Sequence, residues 1–108
     1  MTQHNASPKE HIASLEQLLR QKRDDIKQIA ARHGAYNIRV FGSVARGDAG
    51  PESDIDFLID AGPATSSWFP AGLILDLEDL LGRRVEVVTE KALNPDLRDH
   101  VLREAIHL

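Results

Sequence analysis

Gly42-Ser43, an interval of ten residues, and then Asp54-Ile55-Asp56 set a small turn at a fixed distance ahead of two carboxylates. A third carboxylate, Glu86, stands in a later valine-rich run. Glycine takes a positive φ and lets a ligand approach the backbone, and a serine hydroxyl with neighbouring N–H groups donates to phosphate oxygens. Paired carboxylates with substrate phosphates are the usual ligands of magnesium. These residue types suit metal-assisted transfer of a nucleotide, in which one ion activates the attacking oxygen and a second holds the phosphates and the leaving group.

The elements that must position these groups follow from the flanking pattern. Asp54-Ile55-Asp56-Phe57-Leu58-Ile59-Asp60 is short, apolar and bounded by turn formers, which predicts a strand. Alternation places Asp54 and Asp56 on one face, about 7 Å apart by Cα rise, and Ile55 and Phe57 on the other. Like charges about 4 Å apart repel by roughly 4 kcal/mol at an effective dielectric of about 20. A bound dication reverses that sign. In Arg84–Thr89, Glu86 faces away from Val85 and Val87. If this strand lies beside the first, about 4.8 Å away, Glu86 completes a triad as metal ligand or as base for an incoming hydroxyl.

Upstream, the apolar run Ile38–Phe41 stops at Gly42 and Ser43. A helical turn over Val44–Arg46 would direct its N-terminus at an anion. Arg46 offers a planar donor fork for a phosphate tail, or a brace for Asp48 or Asp54. Ser53, directly before the first aspartate, joins Gly42, Ser43 and Arg46 in the candidate nucleotide-binding set.

Ser7-Pro8-Lys9-Glu10 forms a capping box with proline at the first helical position, and Ile12, Leu15, Leu19, Ile26 and Ile29 or Ala30 follow at helical spacing up to Gly34. The charge-rich Arg20–Asp25 reads as the solvated face of that helix. Strands are expected at 37–42, 55–60 and 84–89. A second helix is expected from Phe69 or Pro70 to Leu81, ended by Gly82, and a last one from Pro95 to Ile106 with Leu97, Val101, Leu102 and Ile106 as its apolar stripe. The order αββαβα predicts an α/β (α+β) fold, a small mixed sheet flanked by helices. Residues 1–108 read as one domain, an N-terminal helix over about 8–33 followed by a catalytic core over about 36–108.

A net charge of −4 argues against general nucleic-acid coating and suits a partner with a basic face. There is no cysteine, so disulfides and thiolate metal sites are excluded. The five histidines include no H-x-x-x-H pair, and His33 reads as a partner of its helix dipole. No basic and apolar leader and no membrane-length apolar run is present, so a soluble, cytoplasmic protein is expected. Asp48 and Glu52 read as loop solubilisers and Asp60 as a strand cap. Trp68 and Phe69 suit either the edge of the core or a partner contact.

The phrase GSVARGDAGPESDIDFLID, with the later RRVEVVTEKALNP and an amphipathic tail, resembles the DNA polymerase β-like nucleotidyltransferase superfamily. More narrowly it resembles the minimal nucleotidyltransferases, the antitoxin halves of HEPN/MNT toxin–antitoxin pairs. The resemblance covers most of residues 36–108 and implies the polymerase β-like fold. It also implies that Gly42 and Ser43 bind a nucleoside triphosphate, that Asp54 and Asp56 ligate magnesium, and that Glu86 is the third acid where aspartate is common. By that resemblance the activity is transfer of AMP from ATP to a tyrosine of a HEPN ribonuclease, with loss of pyrophosphate. Relatives that modify small acceptors usually carry a second helical domain, and no residues are left here to build one, which favours a protein acceptor. Two other readings stay open: an antitoxin that neutralises its partner by binding alone, and an aminoglycoside-type enzyme completed by homodimerisation.

Overall fold

The computed structural model describes residues 8–108. Its elements are α1 (Pro8–Gln21), α2 (Arg23–Arg32), β1 (Ala35–Phe41), α3 (Gly42–Arg46), β2 (Ile55–Ala61), α4 (Ala71–Leu81), β3 (Val85–Thr89), a 3₁₀ turn (Glu90–Ala92), α5 (Pro95–Glu104) and β4 (Ile106–His107). The four strands form one sheet in the order β3-β2-β1-β4, with β2 and β3 parallel and the other two pairings antiparallel. The mixed sheet flanked by helices matches the fold class read from the sequence.

Three details differ from that reading. The N-terminal helix is broken at Lys22, whose φ of −99° and ψ of 7° fall in the bridge region. Leu15 and Leu19 are buried before the break and Ile26 and Ala30 after it, and no buried side chain anchors the charged stretch between them. The capping box at Ser7 and the packing of Ile12 lie outside what the structure describes. The helical turn considered over Val44–Arg46 is present but begins earlier, as the five-residue helix α3 from Gly42.

The third difference is at the C-terminal end. The last helix stops at Glu104, Ala105 turns extended, and Ile106 and His107 pair with Val40 and Arg39. Leu108 donates its N–H to Ile38 at 3.1 Å. The outer edge of β1 would otherwise present unpaired N–H and C=O groups, and this pairing covers the part of it from Ile38 to Val40. Of the expected stripe on α5 only Val101 is buried, while Leu97 and Ile106 are exposed.

One face of the sheet carries the main core. Ile55, Phe57 and Ile59 of β2 pack there with Leu73, Leu77 and Leu81 of α4, Ile26 and Ala30 of α2, and Leu15 and Leu19 of α1. The other face carries Asp56, Leu58 and Asp60 from the same strand, because successive side chains alternate. Two contacts fix where β3 begins: Ile55 donates its N–H to the Arg84 carbonyl at 3.0 Å, and Val85 donates to Glu78 of α4 at 3.0 Å.

Arg39 is 4% exposed, the one buried charged residue among those described. Its guanidinium donates to Glu90 at 2.6 Å, to Asp60 at 3.1 Å and to the Asn37 carbonyl at 3.0 Å. Asn37 has a φ of 55° at an irregularity in the β1–β2 register, and its amide donates to Asp60 at 2.9 Å. Such an irregularity re-aims neighbouring side chains. Glu90 also accepts from Arg98 of α5 at 2.7 Å, so the network ties the last helix to the sheet. Asp60 is therefore a partner of a buried cation as well as the end of a strand.

Removing one member of a buried pair leaves charge without compensation. Arg39→Ala should lower unfolding free energy by about 3 kcal/mol in denaturant titration. A loss under about 0.5 kcal/mol would show that the network is not structural.

Candidate active site

The parallel register of β2 and β3 sets Asp56 opposite Glu86, and the antiparallel register of β1 and β2 sets Asp56 opposite Phe41. Phe41, Asp56 and Glu86 thus form a row across three strands. Gly42 follows Phe41, so the small turn begins beside the central carboxylate. Asp54 immediately precedes β2, half-buried, while the Glu86 side chain is exposed. The acids and the turn, far apart in sequence, share one end of the sheet.

Gly42 has a φ of 74°, and a methyl group there would collide with Oδ2 of Asp56. Both facts call for glycine, for conformation and for space. Its N–H donates to Oε1 of Glu104 at 2.7 Å. Ser43 is half-buried in the first turn of α3, and its carbonyl accepts the N–H of Asp48 at 3.0 Å. Arg46 donates to Asp48 at 3.3 Å and to Oε2 of Glu104 at 3.2 Å. Its guanidinium pKa is raised, by the hydrogen bond to Glu104 first and that to Asp48 next.

Ser53 is placed as a brace of its own loop. Its hydroxyl accepts from Gly50 N–H at 2.9 Å, and its carbonyl accepts from Arg83 at 2.7 Å. Sequence reasoning missed Glu104 and Arg39. Glu104 meets Gly42 only through tertiary contact across the chain, which leaves no local signal. Arg39 did leave one, a lone cation inside an apolar strand.

The Asp56 carboxyl is pushed up to about 7 from 3.8. Burial is the largest cause, followed by the neighbouring Glu86 carboxyl and then Asp54, while Arg46 acts in the opposite sense. Crowded carboxylates answered by a single arginine form a donor set that suits a divalent cation. Among the described residues no group of three or more His, Asp or Glu side chains is arranged as a ready metal cage. Magnesium is commonly held by one or two carboxylates, with water and substrate phosphates as its other ligands. Asp54, Asp56 and Glu86 fit such an ion by chemistry.

A family model described as a nucleotidyltransferase domain matches residues 15–108. The chain belongs to that family. It is 38% identical over 82 residues to the protein adenylyltransferase MntA of Thermococcus cleftensis, covering 76% of this chain and 83% of the relative. A solved structure of a candidate minimal nucleotidyltransferase superposes with a TM-score of 0.76 at 49% identity, covering 85% of this chain and 94% of that one. A toxin–antitoxin structure with AMP-PNP shares the fold, with a TM-score of 0.60 at 21% identity and coverage of 89% and 70%. The chain is a minimal nucleotidyltransferase of the polymerase β-like superfamily.

Two tests follow from the geometry. Gly42→Ala should cost about 1–2 kcal/mol for the left-handed backbone alone, with a further loss from displacement of Asp56, read by denaturation. Stability within about 0.5 kcal/mol of wild type would contradict the close approach.

The second test uses the raised Asp56 pKa. A carboxyl with a folded value near 7 and an unfolded value near 3.8 stabilises the fold fully below 3.8 and loses that contribution as pH rises through 7. Asp56→Asn should therefore melt higher than wild type at pH 8 without divalent ions, with the gap opening between about pH 4 and 7. An equal gap at all pH values would remove the crowding argument.

Proposed function

We propose that this nucleotidyltransferase transfers AMP from ATP to a tyrosine of a partner protein, a HEPN-family toxin, and acts as the antitoxin of the pair in the cytoplasm. The observation that carries the reading is the register of Asp56 against Glu86 beside a turn in which Gly42, at a φ of 74°, lies directly against the Asp56 carboxylate. The similarity to a relative named a protein adenylyltransferase supports a protein acceptor. The exposure of Glu86 at the surface supports access by a macromolecule.

In this reading the Gly42–Ser43 turn receives the triphosphate, Gly42 by letting it approach the backbone closely and Ser43 by donating its hydroxyl to a phosphate oxygen. Arg46, half exposed, can turn from Asp48 to the phosphate tail. Asp54 and Asp56 would hold magnesium, with Glu86 as a further ligand. When bound, magnesium neutralises the phosphate charge and stabilises the leaving oxygen. The tyrosine oxygen attacks the α-phosphorus in line, its new P–O bond forms as the bond to the β-phosphate breaks, and pyrophosphate leaves. The phenolic proton passes to a carboxylate, for which Glu86 is placed at the open side.

Incubation of the partner with wild-type protein, ATP and magnesium should add one or more AMP units to the partner's intact mass. The double variant Asp54→Ala/Asp56→Ala should fold and lose transfer by at least about a hundredfold, the scale of a lost electrostatic stabiliser. Equal transfer by the double variant would sink the mechanism. No mass gain with wild type, together with a tight complex, would establish neutralisation by binding.

A further inference from the structure

Glu104 ends α5, and it is held from both sides. Val101, one turn earlier, is buried, and two residues later the chain pairs with β1, the strand that runs into Gly42. At its other end α5 is tied to the sheet through Arg98 and Glu90. The Glu104 side chain is only 10% exposed although it carries a charge. A merely solvated i,i+4 partner of His100, which stands 3.5 Å away, would not need that burial.

Its two oxygens have separate duties. Oε1 accepts the N–H of Gly42 at 2.7 Å, and Oε2 accepts from Arg46 at 3.2 Å. Phe41, at the N-cap of α3, offers no side-chain cap. Glu104 thus satisfies an N–H that the short helix leaves open, from an element that arrives much later in sequence. It also restrains both ends of the turn, the backbone of Gly42 and the guanidinium of Arg46, while Asp56 packs against Gly42.

We propose that Glu104 is a positioning residue for the nucleotide's phosphate tail, setting the Gly42 backbone and the Arg46 fork before the triphosphate arrives. The inference rests on the functional reading above. Glu104 itself bears no part in the chemistry. It fixes the donors whose geometry the phosphates meet, and of the turn's backbone N–H groups it takes the one at Gly42. Preorganised donors bind more tightly because less ordering remains to be done on binding.

The test compares wild type, Glu104→Ala, Glu104→Gln and, as a control on an exposed position of the same helix, Asp99→Ala. Two quantities are read: the Gly42 amide resonance of the free protein, and the affinity for AMP-PNP with magnesium by calorimetry. Glu104→Ala should shift the Gly42 amide and weaken AMP-PNP by about tenfold or more. Glu104→Gln keeps an acceptor for Gly42 but holds Arg46 less firmly, and should lose about threefold. Asp99→Ala should match wild type in both.

Affinity in Glu104→Ala equal to wild type would overturn the inference, and tighter binding would make Glu104 a competitor of the phosphate instead. Should Glu104→Ala fail to fold, the Gln variant decides in the same way: no loss, or a gain, overturns the role. Failure of the wild type to bind AMP-PNP would sink the functional reading and this inference with it. Binding by the wild type with no change in the folded variants would sink this inference alone.

Discussion

The parallel pairing of β2 with β3 forces two carboxylates, Asp56 and Glu86, into adjacent positions on the sheet, with Asp54 next to them. Sheets gain nothing from such a row; like charges opposite each other destabilise a strand pair. The fold accepts this cost and surrounds it with supports. Glu78 of α4 holds the start of β3, and the Arg84 carbonyl takes the first N–H of β2, so the register cannot slip without loss of both contacts. A one-residue slip would turn Glu86 into the valine face and Val85 out of the core.

The site and its scaffold occupy the two faces of one strand. Ile55, Phe57 and Ile59 are sealed against α1, α2 and α4, and that burial supplies the driving force. The opposite face carries the buried Leu58 between two polar groups, Asp56 for the site and Asp60 for the buried Arg39. The Arg39 network then reaches through Glu90 to α5, and α5 delivers Glu104 to the turn that begins the site. Structural ion pairs at one end of the sheet therefore bear on geometry at the other.

Local pattern made much of this legible. Alternation in Ile55–Ile59 placed the core face of β2, Gly82 marked the end of α4, and the valine run marked β3 with its acid turned outward. The resemblance of the Gly-Ser and Asp-x-Asp spacing named the family, which the comparisons bear out. What stayed hidden depends on contacts distant in sequence. The extended tail after Glu104 forms because β1 has an edge to satisfy, which helical periodicity through Ile106 cannot reveal. The break at Lys22 reflects a gap between two buried anchors, and the Ser53 carbonyl is held by Arg83 from much later in the chain. Trp68, with a φ of 64° and 85% exposure, stands at the surface, while Phe69 packs on the core, so the pair divides between the two expectations for it.

The central claim is that the row of acids beside Gly42 directs attack to the α-phosphorus of ATP. Parallel incubations of the protein and its partner with ATP labelled at the α- or at the γ-phosphate, in the presence of magnesium, test it most directly. The account predicts that the partner retains label from the α-position only, with the γ-label released as pyrophosphate. Retention of the γ-label on the partner would mean phosphoryl transfer, and would contradict it.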